Sequence, residues 1–332
     1  MTKPARISYA IMAVLLVLIG WLHLATLVLT TLFGYFALRQ FSFGRSKLLG
    51  VGLYVVAVAA IGYGLFYFSR QAYVTLPKIA ETTIPAVVGY AEKQGIELPF
   101  TDYASLRTAT LNEVKEKLTN VGRYARTAVF EFAMLIIGLV VAVSLFLNAR
   151  WSEEGDPDAV KDSLYATVAR ELGVRFRTFF SSFAMVIGAQ ILISAINTVL
   201  TAVFLIWNGY PYAMVIIVLT FLCGLLPIIG NLISNTLIVG VGFTLSPRMA
   251  FIALIFLVVI HKLEYFLNSK IIGDRIKNPM WLTLLALVLG EKLMGIPGMI
   301  LAPVVLHYIK VEASRNKVSD LSSADPGTRE AA

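Results

Sequence analysis

Glu264 stands near the end of a long apolar run, in HKLEYFLNSKIIGDRI (residues 261–276), at a depth where an uncompensated charge is costly. His261, Glu264 and Asn268 recur at i, i+3 and i+7, so on a helix they share one face. A carboxylate on such a face, turned toward a polar cavity, is a candidate carrier of a proton or a cation. The low-dielectric surroundings disfavour its charged form unless a counter-charge arrives. The competing reading is a helix that simply leaves the membrane near residue 261, with Lys262 snorkelling to the interface.

Two further stretches place polar groups beside helix breakers. In LPIIGNLISNT, Pro227 and Gly230 predict a break, and Asn231, Ser234 and Asn235 follow it at once. Asn231 and Asn235 are one helical turn apart and share a face, suited to hydrogen-bonding a small polar solute or lining an ion path. Alternatively, Asn231 caps an ordinary helix after an exposed loop. In GEKLMGIPGMILAP, Glu291 and Lys292 are adjacent, either at the tip of a re-entrant hairpin or in a loop in water. The loop reading leaves residues 280–289 only about 15 Å long as a helix, too short to span a bilayer, which favours re-entrance. Backbone breaks at membrane depth survive where they are buried in protein or line a wet cavity. Paired broken hairpins are the pattern of secondary transporters.

Enzyme signatures are absent: no His-Glu-x-x-His, no Gly-x-Ser-x-Gly and no Gly-Lys-Ser/Thr phosphate loop. The three histidines, His23, His261 and His307, are widely scattered, and no metal or cofactor site is expected. Any transport would then be driven by a gradient or by another subunit. The one cysteine, Cys223, lies in an apolar run and reads as a packing residue.

These residues need a membrane to position them. The 332-residue chain is 58% hydrophobic and 14% charged, with a mean hydropathy of +0.78. Soluble domains run at roughly 45–50% apolar and about 25% charged. Several apolar runs reach the roughly 20 residues that a membrane helix needs. The expected class is all-α, a polytopic membrane protein whose partner is the lipid bilayer. The net charge of +8 is assigned to basic residues at cytoplasmic helix ends rather than to nucleic acid, because no aromatic-basic cluster accompanies it. The basic N-terminus runs into a stretch too long for a signal peptide and without a small-residue cleavage site, so it reads as a retained membrane segment.

Along the chain, residues 1–69 read as N-terminal membrane helices. The apolar stretch 7–38 has basic residues on both flanks, so it must turn back near Gly20–His23. Residues 70–125 read as an extramembrane helical hairpin, and 126–149 as a returning membrane helix. Residues 150–182 read as a cytoplasmic amphipathic helix with a stripe at Val160, Leu164, Val168, Leu172 and Phe176. Residues 183–310 form the expected transport core, and 311–332 a disordered cytoplasmic tail.

The C-terminal half, LPIIGN followed by HKLEYFLNSKIIGDRIKNPMWLTLLALVLGEKLMGIPGMILAPVVLHYIK, resembles the autoinducer-2 exporter-like (AI-2E, or PerM) transporter family. The family pattern falls on Pro227, Gly230, Glu264, Lys270, Gly273, Pro279, Gly290, Gly295, Gly298 and Pro303. Ser269 stands where members often carry proline, and no proline occurs between Pro4 and Pro77. The resemblance implies a multi-pass transporter of the bacterial inner membrane with about eight membrane segments, assembled as a homo-oligomer. It leaves the substrate open, since some members are associated with autoinducer-2 export and others with sodium or lithium exchange for protons. The leading expectation is a secondary transporter exporting a small polar solute by alternating access. A sodium(lithium)/proton antiporter and a non-transporting membrane scaffold are the alternatives.

Overall fold

The computed structural model describes residues 2–42, 46–96, 121–148, 163–227, 229–272 and 279–315, and every regular element among them is an α-helix. The middle of the expected extramembrane hairpin (97–120), the start of the amphipathic helix (150–162), the tail from 316, Gly273 and the Asn268 side chain lie outside the described residues.

α1 (Lys3–Trp21) and α2 (Ala25–Phe41) replace one over-long span with a pair. The reversal falls at Leu22–Leu24, where His23 takes a positive φ of 53°. This is the turn that the basic flanks require. α3 (Lys47–Lys93) then runs unbroken through Pro77 and Pro85, and α4 (Val121–Leu147) follows. α5 (Leu164–Trp207) joins the amphipathic stretch and the following apolar segment into one helix. No proline lies between those residues to stop it. α6 (Ala213–Gly224), α7 (Ile229–Leu245), α8 (Pro247–Ile272) and α9 (Met280–Arg315) complete the order.

Among the described residues, six helices are long and apolar enough to cross a membrane: Lys3–Trp21, Lys47–Lys93, Arg126–Leu147, Leu164–Trp207, Pro247–Leu267 and Trp281–Arg315. α6 and α7 are shorter apolar helices. Large apolar side chains such as Val56, Phe66, Val129, Val140 and Trp207 are exposed, which water would penalise and lipid accepts.

Two compact units divide these helices. One draws on Met1–Gly50, Met134–Ile187 and Asp274–Ala332. Within it α1, α2 and α9 pack on one another, and Thr30 of α2 lies against Gly138 of α4. Phe33 and Tyr35 of α2 meet Phe183 and Phe180 of α5 edge-on at 5.0 Å. Arg175 stacks 3.9 Å above the Tyr9 ring and bonds Glu171 at 2.6 Å. The Tyr9 hydroxyl donates to Glu312 at 2.8 Å, and Arg315 donates to Thr178 Oγ1 at 2.9 Å. Helices α1, α5 and α9 are thus tied by one polar network.

In the same unit α9 is a helical hairpin rather than a rod. Gly295 has φ 64° and ψ −150°, a backbone region essentially reserved for glycine. A Cβ on Gly290 would stand 2.5 Å from the Gly298 carbonyl oxygen and 3.1 Å from Ala302 Cβ. In a straight helix residues eight apart are about 12 Å away along the axis, so the two arms fold back on each other. Pro297 sits in the first turn of the second arm, where its missing N–H costs nothing. Pro303 lies further along the same arm and leaves the Met299 carbonyl without its usual donor.

The other unit draws on Val51–Ala133 and Gly188–Gly273. Its core joins Ile79 of α3, Leu205 of α5, Tyr210, Ile216 of α6, Ile238 and Val241 of α7, and Ala253 and Leu257 of α8. Inside a bilayer such a core is held by close packing rather than by escape from water, since lipid tails are as apolar as its side chains. Tyr90 of α3 also meets Phe243 of α7 at 5.2 Å between ring centres.

Candidate functional site

The site begins with the break between α6 and α7. The Leu226 N–H donates to Cys223 O at 2.8 Å and the Ile229 N–H to Pro227 O at 2.7 Å, closing a tight turn around Pro227. A Cβ on Gly230 would overlap the Cys223 carbonyl, so only glycine lets the two arms approach this closely. The last carbonyls of α6 have no partner within their own helix. Gln190 Nε2 donates to Gly224 O at 2.5 Å, and Ser194 Oγ donates to Phe221 O at 2.9 Å. Two side chains of α5 therefore cap the end of α6 and fix the break in place.

α7 and α8 form the second hairpin. Ser246 caps α8, its Oγ accepting from the Met249 N–H at 3.1 Å, with Pro247 at the helix start. Gly242 lets the arms close, since a Cβ there would stand 2.9 Å from the Ala250 Cα. The antiparallel pair brings the first turn of α7 beside the far part of α8. Asn231 Nδ2 donates to both carboxylate oxygens of Glu264, at 3.1 and 3.0 Å. The Glu264 side chain is 16% exposed, and His261 Nδ1 lies 3.5 Å from its Oε2 with 71% of the histidine side chain exposed. Asn231 is in the first turn of α7, so the positive end of that helix dipole favours the same carboxylate.

A cavity of about 20 Å³ opens here, lined among others by Asn197, Thr201, Thr220, Asn231, Asn235 and Glu264. Roughly 10–15 Å³ by this measure admits one water. The space therefore suits a water or one bare small ion. Ser234 also lines it, but its hydroxyl is engaged by Gly230 O at 3.1 Å and Asn231 O at 3.3 Å.

Of the residues singled out by sequence, Asn231, Ser234, Asn235, Glu264 and His261 meet at this one cavity. Glu291 does not. It belongs to the other unit, half exposed just before the α9 turn, with Lys292 at 3.8 Å. Pro227 and Gly230 make the α6–α7 break, Gly290, Gly295 and Gly298 the α9 reversal, and the Pro279 carbonyl opens α9 by accepting from Leu282 and Thr283 at 3.1 Å. Sequence reasoning missed the contribution of α5. Gln190, Ser194, Asn197 and Thr201 recur at i, i+4, i+7 and i+11, a polar stripe inside an apolar helix, and that spacing is the signal that could have found them. Among the described residues no three His, Cys, Asp or Glu side chains gather to hold a metal ion. The cavity offers one carboxylate, neutral amides and hydroxyls, and the largely exposed His261 imidazole at its edge.

These features define a multi-pass helical membrane protein with a small polar cavity beside a broken helix pair. A family model described as AI-2E family transporter matches residues 7–314, and the chain belongs to that family. The family is described as one of transporters. The chain is 27% identical over 142 residues to "Putative transport protein YdbI" of Bacillus subtilis (strain 168), covering 42% of this chain and 41% of that one. It is 34% identical over 104 residues to "Putative transport protein YueF" of the same organism, covering 31% and 28%. It is 23% identical over 227 residues to "Sodium-lithium/proton antiporter" of Halobacillus andaensis, covering 65% and 60%. In each case the match spans less than two thirds of the relative's length. Family membership and the six apolar helices make this a multi-pass protein of a bacterial membrane.

Proposed function

We propose that the protein exchanges a small monovalent cation, sodium or lithium, for a proton, with Glu264 carrying one or the other. The observation that carries this reading is the cavity itself: one carboxylate among amides and hydroxyls with His261 beside it, in a space for one water-sized particle. A polyhydroxylated solute does not fit there. The named activity of the Halobacillus andaensis relative supports the same reading.

The exchange follows from charge. A cation at the Glu264 carboxylate, or a proton on it, leaves the cavity equally neutral, so both loaded forms tolerate a low dielectric. The bare carboxylate is held by the Asn231 amide. Turning that amide over presents its carbonyl oxygen to an arriving cation. One proton leaves as one cation enters. The α6–α7 break supplies the discontinuous helix around which access could alternate.

A second reading, export of a small polar solute such as autoinducer-2, is favoured by the amides of Asn231 and Asn235 and the Ser234 hydroxyl, and requires the cavity to widen. The scaffold reading gives the cavity no role. We also take the working assembly to be a homo-oligomer, on the family resemblance.

The test is proton flux in proteoliposomes under a sodium or lithium gradient, comparing wild type with Glu264→Gln at matched thermal stability. Flux in the wild type and none in the variant supports the exchanger. Equal flux in both removes Glu264 from the mechanism. No flux in either overturns the exchanger, and uptake of autoinducer-2 into the same vesicles then separates exporter from scaffold.

A further inference from the structure

We propose that Asn197 is a direct ligand of the transported cation, and that its carbonyl, with the Thr201 hydroxyl, makes the site select a small dehydrated ion. This rests on the exchanger reading above.

Asn197 lines the cavity, and its Oδ1, closed off from solvent, accepts no hydrogen bond from the described residues. A buried carbonyl left in that state costs about 1–3 kcal/mol, so the oxygen stands ready for a partner from outside the chain. Thr201 is one helical turn further along α5, on the same face, and is 2% exposed. Gln190 and Ser194, on the same stripe, hold α5 to the end of α6. Asn197 is thereby fixed opposite the hairpin that carries Asn231 and Glu264, and oxygen donors reach the cavity from α5, α7 and α8. Hard cations take oxygen ligands, and the fewer waters a site admits, the more of the hydration shell the protein must replace. In about 20 Å³ almost the whole shell is lost. A carbonyl beside a carboxylate supplies that replacement best for sodium or lithium, because a smaller ion draws closer to its oxygen ligands than the water-sized potassium ion does.

A proton needs no such ligand. Removing the Asn197 carbonyl should therefore weaken cation binding and leave proton binding at Glu264 alone. The experiment is the rise in thermal midpoint of the purified full-length protein on titration with sodium chloride or lithium chloride, with potassium chloride at equal ionic strength as reference. The variants are Asn197→Ala and Asn197→Leu, the second alike in branching, somewhat larger, and free of the orphaned carbonyl. The expected result is an apparent sodium Kd raised at least about tenfold in both variants. Their midpoint in potassium should equal the wild-type value or exceed it. Asn197→Asp, which keeps the oxygen, should retain the sodium-dependent rise. Sodium binding in Asn197→Leu equal to wild type would overturn the proposal and leave the exchanger reading standing. A wild type that responds identically to all three salts would overturn both. Should Asn197→Ala not fold, the leucine variant alone carries the test, and Thr201→Val should show a smaller weakening in the same direction.

Discussion

Asn231 and Glu264, 33 residues apart in sequence, meet so that one amide group spans both carboxylate oxygens at 3.0 and 3.1 Å. The amide orients the carboxylate without cancelling its charge, which on the exchanger reading leaves that charge for a cation or a proton. Hydrogen bonds to charged groups contribute about 1.5–3 kcal/mol. Asn231→Leu should lower the unfolding free energy of the cation-free protein by about that amount. Thermal unfolding in detergent measures it, and an unchanged midpoint would show that the pair contributes nothing to the ground state.

Gly230 gives a sharper expectation, because the obstacle is backbone rather than a movable side chain. Gly230→Ala forces a methyl into the Cys223 carbonyl and should open the α6–α7 hairpin. Overpacking of this kind costs about 1–3 kcal/mol, or more where nothing can yield. Gly52→Ala, where a Cβ meets nothing within 4 Å, is the matched control and should stay within about 0.5 kcal/mol. If both variants melt alike, the close approach at Gly230 is not what holds the break.

At the α9 reversal, Gly295→Ala places a side chain in a conformation that L-residues avoid, at a cost of about 1–3 kcal/mol. The consequence is local to the hairpin. Protease accessibility near residues 290–298 should rise well before the global midpoint falls. Unchanged protection of that stretch would contradict the hairpin.

Arg175 is the centre of the network in the other unit, with a side chain only 6% exposed. It stacks on Tyr9 and bonds both the carboxylate and the carbonyl of Glu171. Arg175→Ala should destabilise by about 1–3 kcal/mol through the lost stacking on Tyr9 and the lost hydrogen bonds to Glu171, whose own side chain is 36% exposed. Arg175→Lys should recover only part of this, because an ammonium lacks the planar face that stacks on Tyr9. A lysine variant as stable as wild type would mean that charge alone matters there.

Much of this fold could be read before any coordinates, for physical reasons specific to each element. The α1–α2 turn was legible because basic residues on both flanks allow only an even number of crossings. The breaks at Pro227–Gly230 and Gly290–Gly298 were legible because proline and glycine act locally. Glu264 and Asn231 were each visible as polar groups in apolar runs. Their pairing was not, since periodicity assigns a face and never the helix opposite it. Asn197 was hidden for another reason: in any window average a single amide is outweighed by the Ile, Leu and Val residues around it, so the stripe vanishes. The continuity of α5 was missed because its two halves differ in composition, and helical hydrogen bonding does not respond to that difference. Glu291 looked equivalent to Glu264 by type and by its neighbouring glycine, but it lies exposed beside Lys292.

The network of Tyr9, Arg175, Glu312 and Arg315 also sets an order of events during synthesis. Its members come from the first helix, the fifth and the last. The unit that holds the polar cavity uses only residues 51–133 and 188–273, all of which leave the ribosome before α9 does. That unit can close while the chain is still growing, whereas the Tyr9 hydroxyl must wait for Glu312, 303 residues downstream. During that interval Arg175 can already stack on Tyr9, but Glu312 and Arg315 have not yet joined them. The waiting stage is where a chaperone or protease of the insertion machinery would find this protein most vulnerable.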